Sequence, residues 1–311
     1  MIKSIYRNGS YVVTIERNGT KKYLGETFEA EFPDSLDIKI TEVCFHNCPF
    51  CHESSVKEGT HCDIDRLISR LKGLPKGVEL AIGGGNALLH PSLETLLEKL
   101  KGHFNVAITV NWRDVSDGSS YSQILDLIDK GLITSLGISL EGISKKRLDE
   151  IRSKLDNLEE NTLVVYHVIP GITNLELFKE KIESFNFHTE RYLILGYKQH
   201  GRAKDHILPK DKFEKWKETI LEIYTKPWLK ERIILSFDNL ALEQLDIKSM
   251  VSQVYWENHY MGDEFTHSMY IDACKETYGP TSRSADEERS PWGEETAIDY
   301  FKRTRDGKDM F

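Results

Sequence analysis

Long apolar runs are missing from this chain, and so is a charged n-region followed by an apolar core at its start. Neither a membrane-spanning helix nor a secretory leader is therefore expected, and the expected location is the cytoplasm. Cysteine is scarce. Five in 311 residues are too few for the disulfide framework of an extracellular domain, and they suit a reducing compartment. Blocks of lysine and arginine are absent as well, and 41 basic against 50 acidic residues leave a formal charge of −9. A protein that tracks duplex phosphates needs such a block, so duplex nucleic acid is disfavoured as a partner. No internal repeat or long low-complexity segment is present.

What is there is enough apolar residue, 39%, for one large α/β core with additions. Residues 1–30 read as a β-meander, with strand-like runs at 2–7, 11–17 and 21–25 joined at Asn8-Gly9 and Asn18-Gly19. Asn-Gly is a strong hairpin signal, because both residues tolerate the positive φ of a type I′ turn. From Ser35 onward strands and helices alternate: strands at 36–41, 78–82, 106–110, 135–140, 163–169, 191–195 and 232–237, with apolar residues at helical spacing between them. Asp63 can cap the first helix, whose apolar face is Ile64, Leu67, Ile68 and Leu71. Six or seven such units describe a parallel sheet with helices outside, its ligands at the C-terminal ends of the strands. This core is assigned residues 31–238. Residues 239–311 form an extension: a helix over 240–256, a hairpin over 269–280, and a polar tail with Trp292, Ile298 and Phe301 as anchors.

One loop carries the chemistry. Cys44-Phe45-His46-Asn47-Cys48-Pro49-Phe50-Cys51 places three of the five cysteines in eight residues, directly after the first core strand. Three thiolates on one short loop can wrap a metal centre and leave a fourth position open for reaction. The competing reading is structural zinc, with His52, His61 or Cys62 as fourth ligand, in a non-enzymatic binding module.

The C-x3-C-x2-C spacing, with the aromatic Phe50 before the last cysteine, resembles the cluster loop of the radical S-adenosylmethionine (radical SAM) superfamily. That resemblance implies a partial (β/α)6 barrel. It makes Cys44, Cys48 and Cys51 ligands of one [4Fe–4S] cluster, with S-adenosylmethionine chelating the fourth iron. It implies reductive cleavage of S-adenosylmethionine to a 5′-deoxyadenosyl radical that takes a hydrogen atom from a substrate, fed by an external donor of flavodoxin or ferredoxin type. Ile82-Gly83-Gly84-Gly85-Asn86-Ala87-Leu88-Leu89-His90-Pro91 is similar to the family's Gly-Gly-Glu-Pro segment and its Leu-Leu-His-Pro continuation. Gly84 and Gly85 fall on the glycine pair, and Asn86 stands where the family has Glu, without its charge. Asn111, then Ser139 and Glu141 in Ser-Leu-Glu-Gly, match polar strand-end positions that contact the cofactor in the family, and 195–203 is similar to its turn near the adenine.

The hairpin at 269–280 resembles the start of the auxiliary-cluster extension of peptide-modifying members, but Thr281 stands where a cysteine belongs. Only Cys62 and Cys274 remain, so a single cluster is expected. The hairpin leans the substrate toward a peptide or protein side chain, with a nucleoside or other small metabolite as the alternative. Cys274 is a candidate hydrogen-atom donor to a substrate radical, and Cys62 a structural residue. The chain as a whole is similar to radical SAM proteins of bacterial mobile elements, which names no substrate.

Overall fold

In the first strand of the main sheet, Leu36, Ile38 and Ile40 are buried while Asp37 between them is exposed. This period of two gives the sheet one face toward the helices and one toward an open interior. The computed structural model describes residues 2–16, 19–183, 189–205, 208, 210–260 and 262–305. The strands are β1 (Ile2–Asn8), β2 (Tyr11–Glu16), β3 (Lys21–Leu24), β4 (Ser35–Thr41), β5 (Glu79–Gly84), β6 (Asn105–Asn111), β7 (Ser135–Ser139), β8 (Leu163–Val168), β9 (Glu190–Ile194), β10 (Ile233–Phe237), β11 (Ser268–Asp272), β12 (Thr277–Gly279) and β13 (Ser290–Pro291). β1 to β3 form an antiparallel sheet, and the other ten form one sheet in the order β10-β9-β8-β7-β6-β5-β4-β11-β12-β13.

From β4 to β10 neighbouring strands are parallel and follow chain order. That is the order of an open, partial barrel; β4 and β10 do not pair among the described residues, and the run counts seven strands. The helices between them bury the expected apolar stripes, such as Leu148, Ile151, Leu155 and Leu158 on Lys145–Asn161. Asp63 caps Ile64–Arg70 by accepting from the backbone N–H groups of Asp65 and Arg66. The inner face carries small or polar side chains instead: Ala81, Gly83, Thr109, Asn111, Ser139 and His167 are all half-exposed there.

Three expectations change. β1 and β2 turn through Gly9 and Ser10, not Asn8-Gly9, because Asn8 still pairs with Tyr11. Asn8 is fully buried and anchors the meander: its amide nitrogen donates to Asp34 Oδ1 (2.7 Å) and to the Phe32 carbonyl (2.8 Å). The meander thus sits at the N-terminal end of β4, opposite the cysteine loop. Asn18, of the second expected turn, lies outside the described residues, as do Arg17 and Phe185 at the ends of expected elements. The single helix over 240–256 is three short ones, Asn239–Gln244, Ile247–Met250 and Gln253–His259. Asp246 interrupts it at φ 49° and Ser252 caps the last piece. Finally, the C-terminal hairpin joins the main sheet, with β11 parallel to β4. The described part of the tail beyond it buries Trp292, Tyr300 and Phe301 and includes the helix Ala297–Arg305.

No helix among the described residues is long and apolar enough to cross a membrane.

Candidate active site

The cysteine loop leaves β4 at its C-terminal end and closes on itself. Glu42 N–H donates to the Thr60 carbonyl (2.8 Å), Cys44 N–H to Val56 (2.9 Å), and Cys62 N–H to Ile40 (2.9 Å). Asn47 adopts φ 47°, a conformation Asn tolerates better than most residues. Cys44, Cys48 and Cys51 are free thiols, each partly exposed. Burial pushes the Cys44 and Cys48 thiols up; at Cys48 the Arg113 guanidinium opposes it, with Nη1 3.7 Å from Sγ. Arg113 also stacks over the Trp112 ring at 4.9 Å. A fixed cation beside the thiol set stabilises their ionised form, the form that binds metal.

Two further elements hold this loop. Arg202, in the turn Gly201–Asp205 after β9, donates from Nε to the Cys48 carbonyl (3.0 Å) and from Nη1 to the Ser55 carbonyl (2.9 Å), while its N–H donates to Cys51 (3.1 Å). Phe50 packs against a small apolar cluster with Tyr197, Ala203 and Leu208. The 195–203 turn therefore clasps the cysteine loop.

At the end of β5, Gly84 takes φ +110°, and a Cβ there would stand 2.5 Å from the Thr41 carbonyl oxygen. A Cβ on Gly85 would collide with the Val43 carbonyl. The glycines are required by close approach to the strand that feeds the cysteine loop, since Gly85 N–H donates to Thr41 (2.7 Å) and Asn86 N–H to Val43 (2.8 Å). Asn86 is buried; its amide oxygen accepts from Leu88 N–H (3.1 Å) and its amide nitrogen donates to Asp114 Oδ1 (2.8 Å). Asn111 caps the short helix Trp112–Ser116, its side-chain oxygen accepting from Arg113 N–H (3.1 Å).

Ser139, the last residue of β7, lies beside Asn111 and His167 in the sheet and makes no side-chain hydrogen bond among the described residues. Glu141 is buried with Oε1 unpartnered. Burial raises its pKa to about 7, against the pull of its own backbone N–H and of Arg113. His167 is driven the other way, to about 4, by burial and by Lys198.

Among the described residues, no three His, Cys, Asp or Glu side chains converge closely enough to hold a single metal ion. The fourth ligands of the zinc reading are engaged elsewhere: His61 Nδ1 with Thr41 Oγ1 (2.8 Å), His52 Nε2 with Glu53 (3.4 Å), and Cys62 Sγ with His90 Nε2 (3.7 Å). The polar groups that remain are three thiols on one loop, a guanidinium at one of them, and the Ser139 hydroxyl and Glu141 Oε1 at the end of β7. That set fits an iron–sulfur cluster with a polar ligand beside it. Cys274 lies apart from the triad, past β11, its Sγ 3.7 Å from the Thr60 carbonyl, and burial pushes its thiol well up.

Residues 38–179 match the family model described as the radical SAM superfamily. Those residues form a domain of the radical SAM kind, the core of radical SAM proteins. Such proteins use a [4Fe–4S] cluster and S-adenosylmethionine. Comparison with curated proteins finds no match. Among solved structures, SuiB of Streptococcus suis bound to the precursor peptide SuiA has a TM-score of 0.62 at 14% identity. SuiB bound to S-adenosylmethionine has a TM-score of 0.61, also at 14% identity. Each match covers 88% of this chain and 65% or 66% of SuiB, so the chain spans just under two thirds of SuiB's length. At that identity the likeness is one of fold.

Asp114 and Arg113 were not singled out in the sequence, while His46 and Arg202 lay within the cysteine loop and the 195–203 stretch without a role of their own. The one signal was Asn111-x-x-Asp114, a capping-box pattern at the end of a strand.

Proposed function

We propose that this chain is a radical SAM enzyme acting on a peptide or protein side chain held over the open end of the barrel. The observation that carries it is that three free thiols, with Arg113 at one of them, Ser139 and Glu141 all follow the C-terminal ends of strands β4, β6 and β7 of one parallel sheet. Cys44, Cys48 and Cys51 hold the cluster, and Ser139, Glu141, Asn86, Asn111 and the Gly84-Gly85 turn line the S-adenosylmethionine site. Bound there, the cluster and S-adenosylmethionine would supply the radical chemistry of hydrogen-atom removal from a substrate. The protein's own part is to orient and to shield. Phe50 and Arg202 fix the loop, Arg113 balances thiolate charge, and the half-exposed inner face leaves room for a substrate. The peptide reading is supported by SuiB, whose structure with its precursor peptide shares this fold over most of the chain. The electron enters from a separate flavodoxin- or ferredoxin-type donor, and the reducing cytoplasm keeps the thiols free. Cys274, its proton held by burial, is proposed as a hydrogen donor to the substrate radical.

Anaerobic reconstitution tests the core of this reading. About four iron and four sulfide should be bound per chain, and each of Cys44→Ala, Cys48→Ala and Cys51→Ala should lose them. After reduction with dithionite the wild type should convert S-adenosylmethionine to 5′-deoxyadenosine. Stoichiometric zinc without iron uptake would sink the proposal. A mass change in a short peptide encoded beside the gene, altered in Cys274→Ala, would support the substrate class and that thiol's role; an unchanged product in Cys274→Ala removes the thiol from it.

A further inference from the structure

Two inward-facing side chains of the barrel hold hydrogen-bonding capacity that the chain itself does not use. His167 is level with Ser139 in the sheet, yet its ring leans back over β7, away from the strand ends. A Cβ on Gly137 would stand 2.7 Å from His167 Nε2 and Cε1 and 3.1 Å from Thr109 Oγ1, so a glycine there gives the ring its place. Neither ring nitrogen has a hydrogen-bond partner among the described residues. Burial, helped by Lys198, keeps the imidazole neutral, with a pKa of about 4. A neutral imidazole still offers an N–H donor.

Lys198 is the second. It is half-buried in the segment after β9, and its Nζ donates to Ser282 Oγ (2.8 Å) of the C-terminal extension. The base of its side chain is fixed, because Tyr197 N–H donates to Gln244 Oε1 (2.7 Å) and Gln244 Nε2 to the Tyr197 carbonyl (3.0 Å). The ammonium acts on His167 of β8 and also on Asp37 of β4, where it opposes the rise that burial causes. Those strands stand four places apart in the sheet, so the charge lies in the interior between them. No carboxylate, Asp37 included, comes within ion-pair distance of Nζ among the described residues. The segment that carries Lys198 also carries Arg202, which grips the Cys48 carbonyl (3.0 Å), so the lysine sits on the cysteine-loop side of the interior.

An ammonium has three N–H donors, and Ser282 takes one. A tie to a serine can be made by a neutral side chain at a smaller desolvation cost. A charge in this position suits an anion that enters the barrel. A phosphate would bring about two negative charges to a single lysine with Asp37 in the same space. A carboxylate brings one, and its second oxygen can accept from a neutral imidazole N–H.

We infer that Lys198 and His167 bind a carboxylate of the substrate, the acidic side chain of a peptide that reaches into the barrel. The inference rests on the proposed function in taking a peptide as substrate, and deepens it by naming the residue class that enters.

The test is binding. Anaerobically reconstituted protein with S-adenosylmethionine bound is titrated calorimetrically with acetyl-Gly-Ala-Glu-Ala-Gly-amide, with its Gln counterpart, and with the Gln peptide ending in a free carboxylate. The Glu peptide should bind roughly ten- to hundredfold more tightly than the Gln peptide. Lys198→Met should lose that preference, Lys198→Arg should keep it, and His167→Phe should reduce it several-fold. Ser282→Ala, which removes the tie and leaves the charge, should keep it as well. Iron content and S-adenosylmethionine affinity should stay at the wild-type level in Lys198→Met. Equal binding of the Glu and Gln peptides, or of neither, overturns the inference. So does an equal loss in Ser282→Ala and Lys198→Met, which makes the lysine only a tie. A preference for the free C-terminus overturns the side-chain assignment, and weakened S-adenosylmethionine binding in Lys198→Met gives the charge to the cofactor instead. Failure of the proposed function reads differently, as wild-type protein that takes up no iron or binds no S-adenosylmethionine before any peptide is added.

Discussion

Glu141 shows at the scale of one residue how the fold prepares a polar site. Burial lifts its pKa to about 7, with one carboxylate oxygen unpartnered. Because the folded pKa lies above the unfolded one, the protonated form is favoured by folding. Its stabilising contribution is complete below the ordinary carboxylate range and is lost as pH rises through about 7. For the cofactor-free protein the loss between pH 5 and pH 8 amounts to roughly 3 kcal/mol. Glu141→Gln should flatten that dependence, read as urea midpoints at the two pH values; an equal drop in the variant would assign the effect to another group. The three cysteines stood out in the sequence because three of only five fall within eight residues. Asp114 did not. Its bonds to Asn86 and His46 depend on a helix too short to show a period and on partners 28 and 68 residues away.

At the scale of elements, the order of strands and helices was legible wherever a period of two or of 3.6 ran long enough. It failed where one residue broke the pattern, as at Asp246. The turn Gly201–Asp205 illustrates what periodicity cannot show. Family resemblance placed this stretch near the adenine, whereas its Arg202 reaches 147 and 154 residues back along the chain to Ser55 and Cys48. Hydrogen bonds from a charged donor are worth roughly 1.5–3 kcal/mol. Arg202→Met should therefore loosen the cysteine loop while leaving the sheet intact. The reconstituted variant should release iron to a chelator several times faster than wild type, with unchanged far-UV circular dichroism. Equal release rates would show that Phe50 and the loop's own backbone bonds suffice.

The whole molecule is closed by ions as well as by strands. Nothing local in the sequence announces that residue 268 of the C-terminal extension will pair with residue 35. Lys39 sits on β4 at 4% exposure with Glu53 at 3.0 Å, Asp272 at 3.2 Å and Glu42 at 3.3 Å. Arg289 Nη1 reaches Asp272 (3.0 Å), and Tyr270 donates to Glu53 (3.1 Å). Burial opposes the charge on Lys39, but Glu53 and Asp272 outweigh it and raise its pKa. At Glu53 burial again opposes ionisation, and His52 and Lys39 hold the carboxyl well below the usual range. One lysine thus joins the cysteine loop, the first barrel strand and the hairpin. Removing it leaves Asp272 with Arg289 alone and Glu53 with His52 and Tyr270, so the loss should reach at most the roughly 3–5 kcal/mol of breaking a buried pair. Lys39→Met should lower the urea midpoint accordingly and make the segment after β10 the first to be cut by protease. Lys39→Met/Asp272→Asn should be less destabilised than the sum of the single changes, because each removes part of the same network. Strict additivity would mean that the hairpin is held by β11–β4 pairing and the Tyr278–Trp292–Tyr300 packing, with the lysine serving only the loop.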